Sequence, residues 1–170
     1  MALRRGDRVL VDTNVILEAH RVGCWRPMAT QFRLITVEKV IEETQTGHQN
    51  RSTDQNIDET ALRDSFCHIA APDKVERAAI DIDFPDHGLD DGEYHLVAYA
   101  ATIGDEQAWL LNSPDRGTIR LCSRAQWLDR LVALQTMTDL LGLPHGRQLR
   151  GNYKRSWLET EINRFRFGLL

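Results

Sequence analysis

RVLVDTNVILE, residues 8–18, is the stretch whose reading decides the fold. Val9, Leu10 and Val11 form a continuous apolar run, the pattern of a strand buried on both faces of a parallel sheet. Asp12 follows at once and so sits at that strand's carboxyl end. Thr13 and Asn14 are turn and cap residues, and Val15, Ile16 and Leu17 then reopen an apolar segment, so the chain passes from the strand straight into a helix. In open α/β sheets this exit is the edge where ligands bind. Alone, Asp12 reads as a helix cap; further acids at the same edge would give it a second meaning.

Working outward, the helix after Asp12 runs to about Val22, and a short one runs from Pro27 to Phe32. Arg33 to Ile35 reads as a strand, and Thr36 as the cap of a helix over residues 37–44, which Gly47 ends. Residues 45–60 are polar, with almost nothing to bury, and read as a surface loop or a loose helix start. A helix over 57–63 and a strand over 66–70 follow, then a helix from Asp73 to Ile80. LDDGEYHLVAYAATIG, from Leu89, is a small-residue helix with Leu96, Val97 and Ala100 inward. Ala108 to Leu111 is the next strand, Ser113-Pro114-Asp115 its turn, and Thr118 to Ala125 a helix. Leu131 to Leu134 reads as a last apolar strand, and Met137 to Leu141 as a helix stopped by Gly142 and Pro144. This alternation predicts a three-layer α/β/α sandwich around a mainly parallel sheet.

The chain of 170 residues, 42% hydrophobic and 27% charged, suits one sizeable core. No apolar stretch is long enough to span a membrane, and the first twelve residues have positive charge but no apolar signal segment, so the reading places the protein in the cytoplasm, away from membranes. Cys24, Cys67 and Cys122 are odd in number and form no CxxC, which points to reduced core thiols rather than a disulfide framework or a zinc site. The six histidines show no HExxH pair, and Walker, GxGxxG and GxSxG loops are absent. The net charge of −4 hides an asymmetry: from Gly142 onward six Lys/Arg oppose Glu159 and Glu161, net +4, leaving −8 for residues 1–141. This divides the chain into a body, 1–141, and a basic extension, 142–170, on or adjoining it. Tyr153, Trp157, Phe165 and Phe167 interleave with the basic residues, and the extension reads equally as a nucleic-acid contact, a docking helix or a solvated cap. Leu158, Ile162 and Phe165 also make an ordinary apolar helix face.

Acids recur at the strand ends: Asp12; Glu42 and Glu43 on the helix after the second strand; Asp90, Asp91 and Glu93 opening the small-residue helix; and Asp115 after WLLNS. Carboxylates gathered at one edge repel, and such a cluster persists only if protons or a cation neutralise it. A hard divalent ion, Mg²⁺ or Mn²⁺, prefers oxygen ligands and is the natural counterion. Taken singly, each acid has an ordinary role: Glu42 a solvated face, Asp90 and Asp91 helix-start charges, Asp115 a turn residue and Ser113 a cap.

VLVDTNVIL, VEKVIEET, GEYHLVAYAA and LLNSPDRGTIRL, in this order, resemble the PIN-domain family of metal-dependent nucleases over residues 9–141. The resemblance implies that four acids, by position Asp12, Glu43, Glu93 and Asp115, bind one or two Mg²⁺ or Mn²⁺ ions and cleave RNA by a metal-activated water, without a covalent intermediate. It implies 3′-hydroxyl and 5′-phosphate products. Asn14 and Ser113 match the small polar residues that orient ligands there. The third acid is usually Asp, so Glu93 shares that position with Asp90 and Asp91, and the adjacent Glu42 and Glu43 leave the second ligand open. The expectation is an endoribonuclease, with a toxin-type role, an antitoxin-like inhibitor and a homodimer as further implications of the family. Beside it stand a catalytically inactive PIN-like module that binds nucleic acid or protein, and a structure-selective DNA nuclease.

Overall fold

The computed structural model describes residues 2–46, 57–104, 107–143 and 148–169. Gly47, His48, Pro144, His145, Arg147 and all but the ends of the polar 45–60 stretch therefore lie outside the described residues. Strands β1 (Arg8–Val11), β2 (Arg33–Val37), β3 (His68–Ala70) and β4 (Leu110–Asn112) form one parallel sheet in the order β3-β2-β1-β4. Its helices are α1 (Thr13–Val22), α2 (Trp25–Gln31), α3 (Glu38–Gln45), α4 (Glu59–Asp64), α5 (Lys74–Asp83), α6 (Asp91–Ile103), α7 (Arg116–Arg124), α8 (Leu134–Leu140) and α9 (Arg155–Arg166). The architecture is the α/β/α sandwich that the alternating pattern predicts.

After Arg8, β1 is buried because both sheet faces are covered, so Val9, Leu10 and Val11 are wholly enclosed with Ile16, Leu34, Ile41 and Leu111. Register pairs Leu10 with Ile35 on one side and with Leu111 on the other. Every parallel crossover in such a sheet needs a covering segment, which α1 to α6 supply.

Several elements differ from the sequence reading. Thr36 is not a helix cap: it lies inside β2, and its hydroxyl donates to the Val11 carbonyl at 2.9 Å, pinning the end of β1 just before Asp12. Val37 takes the cap position, with no side-chain cap bond. Leu131 to Leu134 is not a strand. Leu131 makes a single parallel bridge to Leu111, Val132 donates to the Leu111 carbonyl at 3.0 Å, and Leu134 already begins α8. A short apolar run is buried in either state, and periodicity cannot separate the two. Cys24 and Cys122 are buried as expected, but Cys67, at the start of the edge strand, is exposed.

The extension packs on the body. Leu158 joins Ile119 and Ala133 in a cluster beneath α9. Glu161, 1% exposed, accepts a forked pair of bonds from Arg116 at 3.1 and 3.0 Å and another from Arg164 at 2.9 Å. Glu18 of α1, equally buried, accepts from Arg21 and from the Arg150 backbone N–H at 2.9 Å. Burial alone would raise Glu18, but the Arg21 and Arg150 hydrogen bonds and charges hold it below the usual glutamate range. Thus Arg150, Arg155 and Arg164 of the basic extension are paired with carboxylates within the fold. Among the described residues, no helix is long and apolar enough to cross a membrane.

Candidate active site

The chain builds β1, β2 and β3 outward in one direction and returns to add β4 on β1's other side. The order reverses between β1 and β4, and the crevice beyond their carboxyl ends is where open α/β sheets bind ligands. Asp12 leaves β1 there, and Ser113 and Asp115 leave β4; the Asp12 N–H donates to the Asn112 carbonyl at 3.4 Å.

Asp12 is the N-cap of α1, its Oδ1 accepting from the Val15 N–H at 2.8 Å. The cap reading is therefore correct but uses only half of the carboxylate. Oδ2 is buried with no hydrogen-bond partner, and the residue is 2% exposed. Burial pushes its carboxyl up to about 7; the neighbouring Ser113 hydroxyl and Val15 N–H hold it back, while the Asp115 and Asp90 charges add to the rise.

Glu93, in the first turn of α6, is 6% exposed and is pushed up to about 9, by burial first and then by the charges of Asp115, Asp90 and Asp12. Asp90 caps the same helix, its Oδ1 accepting from the Glu93 N–H at 3.1 Å. Glu43 arrives from α3 with both oxygens engaged: Oε2 accepts from the Thr13 hydroxyl at 2.6 Å and Oε1 from the Gly92 N–H at 2.8 Å. The approach needs glycine at 92, since a Cβ there would stand 2.3 Å from Glu43 Oε2.

Asp12, Thr13, Asn14, Glu43, Asp90 and Glu93 line one small cleft of about 80 Å³. Of the expected residues, Asp12, Glu43, Glu93 and Asn14 meet there. Ser113 is buried just behind Asp12. Asp115 does not line the cleft: its Oδ1 caps α7 through the Gly117 and Thr118 N–H groups, while its own N–H donates to Ser113 Oγ at 3.3 Å. It acts on Asp12 and Glu93 through its charge. Glu42 and Asp91, expected as supporting residues, turn away to the Lys39 ammonium, at 3.2 and 3.6 Å. The second acid at the cleft is thus Glu43, and the third is Glu93 with Asp90 beside it.

The sequence marks Thr13 only as a turn residue, yet it orients Glu43; its place between Asp12 and Asn14 is the available signal. Tyr153 of the extension donates its hydroxyl to the Asn14 carbonyl at 3.2 Å, a contact with no local sequence signal.

Among the described residues, no group of three or more His, Cys, Asp or Glu side chains is set to hold a metal ion as it stands. Glu43 and Asp115 direct oxygens to backbone N–H groups. The donor set nonetheless suits a hard divalent cation: it is all oxygen, crowded with carboxylates, and contains one buried oxygen without a partner.

Compared with models of known protein families, with curated proteins and with solved structures, the chain matches none of them.

Proposed function

We propose that the chain is an Mg²⁺- or Mn²⁺-dependent nuclease that cleaves RNA internally by hydrolysis. The observation that carries this reading is the Asp12 carboxylate, buried with one oxygen unmatched beside the buried Glu93. Two such acids are relieved only by a proton or a cation. Asp12 and Glu93 would hold the ion, with Glu43 and Asp90 at the same cleft and Asp115 adding negative charge from the cap of α7. A bound divalent cation would neutralise phosphodiester charge and make a water more acidic.

The chain's own residues do the rest. Thr13 and the Gly92 N–H fix the Glu43 carboxylate, and Val15 fixes one oxygen of Asp12, so the acids stay in place without rearranging. Asn14, exposed at the mouth, is placed to meet substrate. In the reaction water oxygen bonds to phosphorus as the P–O3′ bond breaks, leaving a 3′-hydroxyl and a 5′-phosphate. RNA over DNA, and an inhibitor protein or a second copy as partner, rest on the PIN-domain resemblance alone.

One observation favours a second reading, a binding module without cleavage: the oxygens of Glu43 are already satisfied within the protein. Titration calorimetry with Mn²⁺ on the wild type and Asp12→Asn, followed by digestion of RNA and DNA side by side with and without EDTA, separates the two. Binding that is lost in Asp12→Asn, with RNA cleavage abolished by EDTA, is the expected result. A wild type that binds no Mn²⁺ would leave the binding module.

A further inference from the structure

At the opposite, amino-terminal end of the sheet, Arg8 of β1 and Arg33 of β2 are direct partners in the parallel register. Both side chains line one groove of about 450 Å³, which Cys67 and His68 enter from β3 and Tyr99 and Thr102 from α6. Like charges placed directly across two strands destabilise a sheet unless something neutralises them. Among the described residues neither arginine has an ion-pair partner, and no Asp or Glu lines the groove. Arg8 is instead held by the neutral side chain of Gln107, to whose Oε1 it donates. In a chain of net charge −4, this is a basic pocket with no carboxylate among the described residues that line it.

The Tyr99 hydroxyl and the His68 ring sit with the two guanidiniums, their rings 5.5 Å apart, while the Thr102 hydroxyl is taken up by the Tyr99 carbonyl at 2.8 Å. Burial raises the Tyr99 phenol while the Arg8 charge opposes the rise. Paired guanidiniums bind phosphate through parallel N–H bonds, and a groove of this volume admits a nucleotide-sized ligand beside an aromatic wall.

We propose that this groove is an anion site that binds the phosphate group of a nucleotide-sized ligand between Arg8 and Arg33. It is separate from the acidic cleft and does not depend on the nuclease reading.

Cys67 supplies a selective probe, being exposed in the groove while Cys24 and Cys122 are buried. Alkylation of Cys67 by iodoacetamide, a neutral reagent, is followed by mass spectrometry with adenosine 5′-monophosphate, inorganic phosphate or adenosine present. At about ten times the dissociation constant, adenosine 5′-monophosphate should slow alkylation roughly ten-fold by mass action. Phosphate alone should also protect, adenosine should not, and Arg33→Gln, at an exposed position, should abolish the protection. Asp12→Asn should leave it unchanged, which separates this site from the acidic cleft. Stronger protection by the nucleotide than by phosphate would assign the His68–Tyr99 wall to the base. Unchanged alkylation with both phosphate compounds, equal protection by adenosine, or full protection in Arg33→Gln would each overturn the proposal.

Discussion

Asp12 gives one oxygen to Val15 and leaves the other unmatched, so its two oxygens can be tested apart. Asparagine caps helices as well as aspartate does. Asp12→Asn should therefore keep α1 and the fold, seen as unchanged circular dichroism, while Mn²⁺ affinity falls at least ~10-fold, a loss of about 1.4 kcal/mol or more. Glu93 makes a prediction about pH. Its folded pKa of about 9 lies above the ordinary 4.5, so between those values the folded state holds more protons than the unfolded state, and stability falls as pH rises through that window. In EDTA, Glu93→Gln should match the wild type near the low end of the window. At the high end it should exceed the wild type by on the order of 2–4 kcal/mol, a Tm difference of about 5–15 °C in calorimetric melts. Gly92→Ala tests the contact with Glu43. The carboxylate it displaces is the end of a flexible side chain, so unfolding free energy should stay within ~1 kcal/mol. Mn²⁺ affinity should nonetheless drop, because Glu43 loses its place. At this scale Asp12 is legible as an acid at a strand exit, and Glu43 and Glu93 as acids on helices, Glu93 opening α6, which follows α5 and not a strand. That Glu42 and Asp91 turn to Lys39 is not legible, because neighbouring residues on a helix differ only in which face the packing turns inward.

Among the elements, β1 and α6 follow from local pattern alone: an unbroken apolar run in one, and a capping acid before small inward-facing residues in the other. The misread elements share a cause. Thr36 carries the signature of a cap, but its hydroxyl finds the Val11 carbonyl across the sheet, a tertiary partner that outcompetes the local one. Leu131 to Leu134 has the apolar content of a strand, yet pairing stops after one bridge; Val132 and Leu134 enter the main core and Ala133 packs with Leu158 of α9. The basic helix α9 is anchored by Glu161, whose carboxylate takes bonds from Arg116 and Arg164. Removing it in Glu161→Ala should cost about 1–3 kcal/mol, read as a lower urea midpoint with unchanged slope. Glu161→Gln, which retains the acceptor oxygen, should cost less.

Across the whole molecule, the extension contributes to the same core as the body. Leu149, Tyr153 and Leu158 are buried, Arg150 and Arg21 together satisfy Glu18, and Tyr153 braces the Asn14 carbonyl behind the acidic cleft. Ending the chain at Leu141 would strip these contacts and leave Glu18 without its Arg150 partner. The shortened chain is expected to lose cooperative unfolding, while the full chain melts in one transition. Under the nuclease reading, Mn²⁺ at about 100 times its dissociation constant should add ~2.7 kcal/mol to the full chain. That should raise its Tm by about 5–10 °C, with a smaller rise in Asp12→Asn.

Apolar runs, caps and helical spacing are local physics, so the α/β class, the strand that ends in Asp12 and the acids at strand ends and helix starts are written in the chain itself. Tertiary structure alone decided which of those acids share a cleft, because Glu43, Gly92 and Thr13 meet only once α3, α6 and α1 converge on the switch between β1 and β4. It also decided that Arg150 meets Glu18 and Glu161 meets Arg116, and that Arg8 and Arg33, far apart in the chain, stand side by side with no ion-pair partner among the described residues. Charges distant in sequence have no relation until the sheet sets their register.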